Sequence, residues 1–86
     1  MATYKREKTK KLKEFRKAGM SFQLAALVAR HNVKKSPASH LMGALETRDV
    51  TYSLRGYHDH CNTPELVVCE GKNTFVLTYF GLELVD

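Results

Sequence analysis

The 86-residue sequence has little of what marks several protein classes: it contains two cysteines, two prolines and no tryptophan. Two cysteines are too few for the disulfide framework that stabilises many small secreted domains. No run of about 18 apolar residues occurs, and no apolar signal segment follows the basic N-terminus, so neither membrane insertion nor secretion is predicted. The expected compartment is the cytoplasm, where both thiols stay reduced.

Acidic residues are scarce in the first two thirds of the chain. Residues 1–55 contain 13 Lys and Arg against four acidic side chains, a net charge of +9, whereas residues 56–86 contain one Lys against five acidic side chains, a net charge of −4. A basic segment of this size attracts polyanions over a Debye length of about 8–10 Å, and nucleic acid is the most common such partner. The alternative is that residues 1–17 form a solvated basic segment that only increases solubility.

The remaining composition is that of an ordinary globular domain. Apolar residues make up 43% and charged residues 27% of the chain, which indicates neither a disordered nor a fibrous protein. A chain of this length forms one domain with a thin core. We therefore expect a single domain over residues 1–86.

Two helices are predicted before residue 33. Residues 5–18 combine strong helix formers with a narrow apolar stripe at Leu12 and Phe15 and form a basic N-terminal helix. Ser21 is expected to cap a second helix of about ten residues. That helix is expected to end at Asn32, because Asn tolerates the left-handed conformation that ends helices.

A third helix is predicted over residues 37–47, because Ser36 and Pro37 form a specific start signal. The Ser oxygen can accept a hydrogen bond from a free N–H, and Pro at the first helical position has no N–H to leave unpaired. The inward-facing positions, spaced i, i+3, i+4 and i+7, are Ala38, Leu41, Met42 and Leu45. The opposite face carries Ser36, Ser39, His40 and Gly43.

Strands are predicted in the last third of the chain. Residues 50–55, 65–70 and 74–80 are rich in β-branched and aromatic residues, and "GKN" between the second and third runs is a plausible tight turn. Thr78 is expected to cap a final short helical turn that packs Leu82 and Val85 onto the core. The predicted fold class is therefore α+β, with three helices followed by a small antiparallel β-sheet.

Two stretches resemble parts of bacterial winged helix-turn-helix regulators. "ALVARHNVKKSPASHLMGALETRDVTY" is similar to the segment in which an apolar helix, a turn ending in Val and a Ser-rich recognition helix lead into the first strand of the wing. "FVLTYFGLELV" is similar to the end of the wing. The matching positions are Val33, Ser36, Ser39, His40, Leu45, Glu46, Arg48, Val50, Leu77, Thr78, Gly81 and Leu84.

The resemblance implies a winged-helix-like domain of a bacterial or phage transcriptional regulator, which reads duplex DNA with the helix over residues 37–47. Ser36, Ser39 and His40 would face the major groove, while nearby lysines would hold phosphates. The candidate nucleic-acid-binding residues are Lys34, Lys35, Ser36, Ser39, His40, Lys10, Lys11, Lys13, Arg16 and Lys17. Members of this family usually bind as a homodimer. With no long C-terminal helix, a homodimer here would use another surface.

The wing departs from the family pattern because it is nearly acidic, and this keeps a second interpretation open. In that interpretation the same fold belongs to a phage-type or accessory modulator that engages a larger protein partner through Glu65 and Glu70. A third interpretation is RNA binding through Tyr52, Tyr57 or Phe75, which requires these aromatic rings on one open face of the sheet.

Residues with metal-binding or catalytic chemistry form no recognisable motif. His58, His60, Cys61 and Cys69 are four potential zinc ligands, but their spacing matches no known structural zinc pattern. No nucleophile with its base, and no pair of carboxylates, is placed by a motif. The sequence therefore predicts a protein that is not an enzyme and that has no metal or other cofactor.

Overall fold

The computed structural model describes residues 2–56 and 64–85, in which three helices precede three strands. The elements are α1 (Ala2–Lys17), α2 (Phe22–Val33), α3 (Ala38–Leu45), β1 (Thr51–Arg55), β2 (Glu65–Glu70) and β3 (Asn73–Thr78). The strands form one antiparallel sheet in the order β1-β2-β3. The predicted α+β class, with three helices followed by a small antiparallel sheet, is confirmed. No helix in the described residues is long and apolar enough to cross a membrane.

Helix α1 packs through the narrow stripe that the sequence predicts. Phe15 is buried, and Leu12 lies at the edge of the core. The helix begins three residues before the predicted bound of residue 5 and ends at Lys17. Gly19, with φ +112°, then turns the chain so that Met20 enters the core ahead of α2.

Helix α2 begins as predicted, but its end differs. Ser21 is the N-cap, and its Oγ accepts a hydrogen bond from the Leu24 N–H at 3.3 Å. The prediction that Asn32 ends the helix was wrong. The helix continues to Val33, and the residue with the left-handed conformation is Lys35, with φ +56°. The side chain of Asn32 is buried instead, and its Nδ2 donates to the Gly81 carbonyl at 2.7 Å.

Helix α3 begins one residue later than predicted, and Ser36 does not cap it. Pro37 occupies the N-cap position in an extended conformation and has no side-chain acceptor. The Ala38 N–H instead donates to the Tyr79 carbonyl at 2.8 Å, and Pro37 pairs with Phe80 in an antiparallel bridge. The prediction that Ser36 is the cap was therefore wrong, because the segment after β3 supplies the acceptor. The helix ends at Leu45, two residues before the predicted end.

The sheet packs one face against the helices. Tyr52 pairs with Val68, which pairs with Phe75, and in the next row Leu54, Leu66 and Leu77 are aligned. The central and third strands are joined by a two-residue turn, in which Gly71 has φ +61°. The buried core residues are Phe15, Met20, Leu24, Ala25, Val28, Ala29, Ala38, Leu41, Leu45, Leu66, Val68, Phe75, Leu77 and Leu82.

The segment after β3 forms a turn and contains no helix, so the predicted final helical turn was wrong. Gly81 (φ +88°) and Leu82 (φ +52°) reverse the chain in left-handed conformations, which a right-handed helix does not contain. The chain then returns along β3: the Thr78 N–H donates to the Glu83 carbonyl at 2.8 Å. Leu82 is buried as expected, whereas Val85 is 37% exposed.

Candidate nucleic-acid interface

One side of α1 carries basic side chains and no carboxylate. At 100° per residue, its cations fall within one half of the helix circumference, and all of them are exposed. We call this surface the basic face of α1; its members are Lys5, Arg6, Lys10, Lys13, Arg16 and Lys17. Arg16 also stabilises the turn to α2, because its Nη1 donates to the Met20 carbonyl at 3.2 Å.

Lys11 lies beside this face rather than on it. It is half-buried, and its Nζ lies 3.1 Å from a carboxylate oxygen of Glu14. Lys10, Lys11 and Lys35 line one groove of about 460 Å³ between α1 and the end of α2, together with Glu7 and Glu14. The fold thus brings Lys35 close to the lysines of α1, although the two glutamates partly neutralise the groove.

The turn between α2 and α3 exposes two predicted lysines. The turn has the geometry of a Schellman motif, since the Lys35 N–H donates to the Asn32 carbonyl and the Ser36 N–H donates to the His31 carbonyl, both at 3.0 Å. Lys35 Nζ lies 4.0 Å from Glu83, but their side chains are 67% and 57% exposed, so solvent screens the pair. Lys34 is also exposed, whereas Ser36 is half-buried.

The outer face of α3 carries only small or polar side chains. Ser39 and His40 are exposed, as the helical period predicts. Gly43 lies on the same face, and a Cβ atom added there would meet nothing within 4 Å in the described residues. Packing inside the described chain therefore does not require glycine at this position, and the backbone of α3 is open to close approach.

A positive cluster that the sequence analysis did not identify lies where α2 meets α3. His31 is half-buried, and its Nδ1 has no hydrogen-bond partner among the described residues. Burial lowers the pKa of His31, and the positive charges of Arg30, His40 and Lys34 lower it further. Basic residues in the last turn of α2 were the available signal, but the sequence does not show that His40 from α3 lies beside them.

The carboxylates of the proposed acidic wing are engaged within the chain. Glu65 accepts a hydrogen bond from Arg55 Nε at 2.8 Å. Glu70 accepts from the N–H of Ser21 at 2.9 Å and from its hydroxyl, so it lies at the positive N-terminal end of α2. Asp59, the third acidic residue of this region, lies outside the described residues.

The sheet offers no aromatic platform in the described residues. Phe75 is buried with 5% exposure, and Tyr52 lies on the core side, where its hydroxyl donates to Glu46 at 3.2 Å. Tyr57 lies outside the described residues. Two of the three rings that the third interpretation requires for RNA binding therefore do not lie on an open face of the sheet.

Of the four potential zinc ligands, Cys69 alone is described, and its Sγ lies 3.7 Å from the Thr74 hydroxyl. The described residues contain no group of three or more His, Cys, Asp or Glu side chains placed to hold a metal ion. His58, His60 and Cys61 lie outside the described residues.

No protein-family model, curated protein or solved structure matches the chain. The function must therefore be inferred from the charge, exposure and placement of the chain's own residues.

Proposed function

We propose that this protein is a small winged-helix-like regulator of transcription that binds duplex DNA. One observation carries the proposal: the positive surface continues from α1 to the turn before α3. Lys10 belongs to the basic face of α1 and also lines the groove that contains Lys35. Lys34 and Lys35 lie in the turn before α3, whose outer face is small and polar.

The proposed complex contains two kinds of contact with DNA, to phosphates and to base edges. The basic face of α1, with Lys34 and Lys35, would neutralise phosphates and position the protein without reading sequence. Ser39 and His40 would donate and accept hydrogen bonds at base edges. The B-DNA major groove, about 12 Å wide, admits an α-helix, whose diameter with side chains is about 10–12 Å.

The protein-binding alternative has weaker support. It requires an acidic surface free to meet a basic partner, but Glu65 and Glu70 already have partners in Arg55 and Ser21. Separating Glu70 from Ser21 would also remove an interaction that caps α2. We therefore favour DNA as the partner.

The first experiment measures fluorescence anisotropy of a labelled random duplex of about 20 base pairs, at low and at near-physiological salt. The wild-type protein should bind with a steep salt dependence, and the double variant Lys34→Ala/Lys35→Ala should bind every sequence more weakly. Each single lysine variant is also measured, and Arg48→Ala is the control for the loss of one charge, because Arg48 is exposed and lies outside the proposed DNA contacts. Equal loss in the control, or displacement of the protein by polyglutamate as readily as by DNA, would contradict the proposal.

Specificity is tested once a preferred site has been selected from random duplexes. Ser39→Ala and His40→Ala should each lower the preference for that site over random DNA by about 1–3 kcal/mol. They should leave binding to random DNA nearly unchanged. A uniform loss across all sequences would show that α3 does not read bases.

A further inference from the structure

A second surface, on the outer side of α2, takes no part in the proposed DNA contacts. It is an open groove of about 420 Å³ between α1, α2 and the chain after α3. We call it the α2 groove. Its lining includes Lys8, Phe22, Ala26, Leu27, Arg30 and Arg48.

The floor of the α2 groove is apolar and uncovered. Phe22 is 61% exposed, one of three large hydrophobic residues that are exposed in the described part of the chain. Ala26 follows one helical turn later, and Leu27 is half-buried beside it. Ala26 is much smaller than Phe22 and Leu27, so an incoming apolar side chain meets little bulk at this position. A phenylalanine this exposed contributes little to the core.

The rim of the α2 groove is cationic. Lys8, Arg30 and Arg48 come from α1, α2 and the segment after α3, so only the fold brings them together. No carboxylate lines the groove, and within residues 2–56 and 64–85 none of these three cations forms an ion pair. An apolar floor with unpaired cations on its rim complements an amphipathic helix whose apolar stripe is flanked by Asp and Glu.

We propose that the α2 groove binds an acidic amphipathic helix of a partner protein. From Phe22 to Arg30 the groove follows α2 for about 12 Å, which accommodates apolar anchors at positions i, i+3 or i+4, and i+7 of the bound helix. A second copy of this chain fits poorly. Outside α1, where the glutamates lie among lysines, the acidic residues of the described elements lie on strands and turns. Nucleic-acid bases fit less well, since Phe22 is the one aromatic ring in the described lining and Ala26 and Leu27 offer no further stacking surface.

The test is a selection of random 16-residue peptides displayed on phage, carried out against the full chain at near-physiological salt. Peptides that also bind Ala26→Glu are removed, because this substitution places a larger and negatively charged side chain on the floor of the groove. We expect the selected peptides to be rich in Asp and Glu, with Leu, Ile or Phe at helical spacing. Their affinity should fall at least tenfold for Arg30→Glu, a variant that is not used in the selection.

Lys72→Glu is the matched control and should bind the selected peptides as well as the wild type does, which separates the groove from a general effect of charge. Circular dichroism of each variant would confirm that the helices remain folded. Selection of no such peptides, or of peptides that bind Arg30→Glu as tightly as the wild type, would overturn the proposal. Weaker duplex-DNA binding by Ala26→Glu than by Lys72→Glu, with no peptides selected, would assign the groove to nucleic acid. The Lys34 and Lys35 variants test the DNA proposal separately, so each proposal can fail alone.

Discussion

Lys35 and Leu82 have left-handed backbone conformations although neither is glycine. Such a conformation costs an L-residue about 1–2 kcal/mol. At Leu82 the conformation is compensated by complete burial of the side chain and by Asn32, whose Nδ2 donates to the Leu82 carbonyl at 3.2 Å. Lys35 is exposed, so no comparable packing compensates its cost. Its backbone therefore favours glycine, while its charge belongs to the proposed DNA surface.

Replacing Lys35 with Gly should stabilise the protein and weaken DNA binding. Glycine removes the free-energy cost of the left-handed conformation, but it also has more conformational entropy to lose when the chain folds. Because the first effect is larger, we expect the free energy of unfolding to rise by about 0.5–1 kcal/mol. Urea denaturation measures this change. Lys34→Gly is the control, because Lys34 has φ −78° and should lose stability instead. Equal destabilisation of both variants would contradict the assignment of strain to Lys35.

His31 should make stability depend on pH. Burial, with the positive charges of Arg30, His40 and Lys34, holds the pKa of His31 below its ordinary value of 6.5. The unfolded chain therefore binds a proton at pH values where the native protein does not. The resulting stability is fully present above pH 6.5 and is lost as the pH falls from 6.5 through the folded-state pKa.

Urea denaturation at a series of pH values below 6.5 measures this effect. His31→Gln should flatten the decrease in the free energy of unfolding. His40→Gln should retain most of it, because His40 contributes less than burial does to the lowered pKa. If the decrease is as steep in His31→Gln as in the wild type, another group is responsible.

At the scale of whole elements, the helices α2 and α3 start in different ways, and two serines test the difference. Ser21 caps α2 through its own hydroxyl, whereas the first N–H of α3 donates to the Tyr79 carbonyl instead of to Ser36. Ser21→Ala should lower the free energy of unfolding by about 1 kcal/mol, and further through the lost hydroxyl bond to Glu70. Ser36→Ala should change it by less than about 0.5 kcal/mol. Similar losses in urea denaturation would contradict this distinction.

The positions of the helices and strands could be predicted because their signals are local. The apolar spacing in α3, the cap at Ser21 and the glycine of the "GKN" turn are each visible within a few residues. The helical period likewise predicted the exposure of Ser39 and His40. Each of these signals depends only on the backbone preferences and side chains of sequence neighbours.

The remaining details depend on residues far apart in the sequence. Asn32 was read as the end of a helix because nothing near it shows that its amide reaches Gly81, 49 positions later. The same holds for the start of α3, which Tyr79 caps, and for Lys8, Arg30 and Arg48, which meet only in the folded α2 groove. Helix starts and ends can be mispredicted in this way when a distant segment supplies the hydrogen-bond partner.

At the scale of the whole molecule, the separation of charge should set the salt dependence of DNA binding. Lys10→Gln/Lys13→Gln removes two exposed cations from the basic face of α1, neither of which forms an ion pair within the described residues. The slope of log K against log salt should become less steep by about 2, with little change in the free energy of unfolding. Anisotropy titrations at several salt concentrations measure the slope. An unchanged slope would show that α1 is not part of the DNA-binding surface of the protein.

Helix α2 is attached at both ends to the C-terminal third of the chain: Glu70 contacts Ser21, and Asn32 contacts Gly81, each pair 49 residues apart. Helices α1 and α2 can pair as soon as the ribosome has released them, because their contacts are local. Both attachments of α2 must wait for β2 and for the turn after β3 to be synthesised. Helices α1 and α2 can thus pair early in synthesis, whereas α2 is attached to the C-terminal third of the chain only later. Weakening either attachment should therefore speed unfolding more than it slows folding.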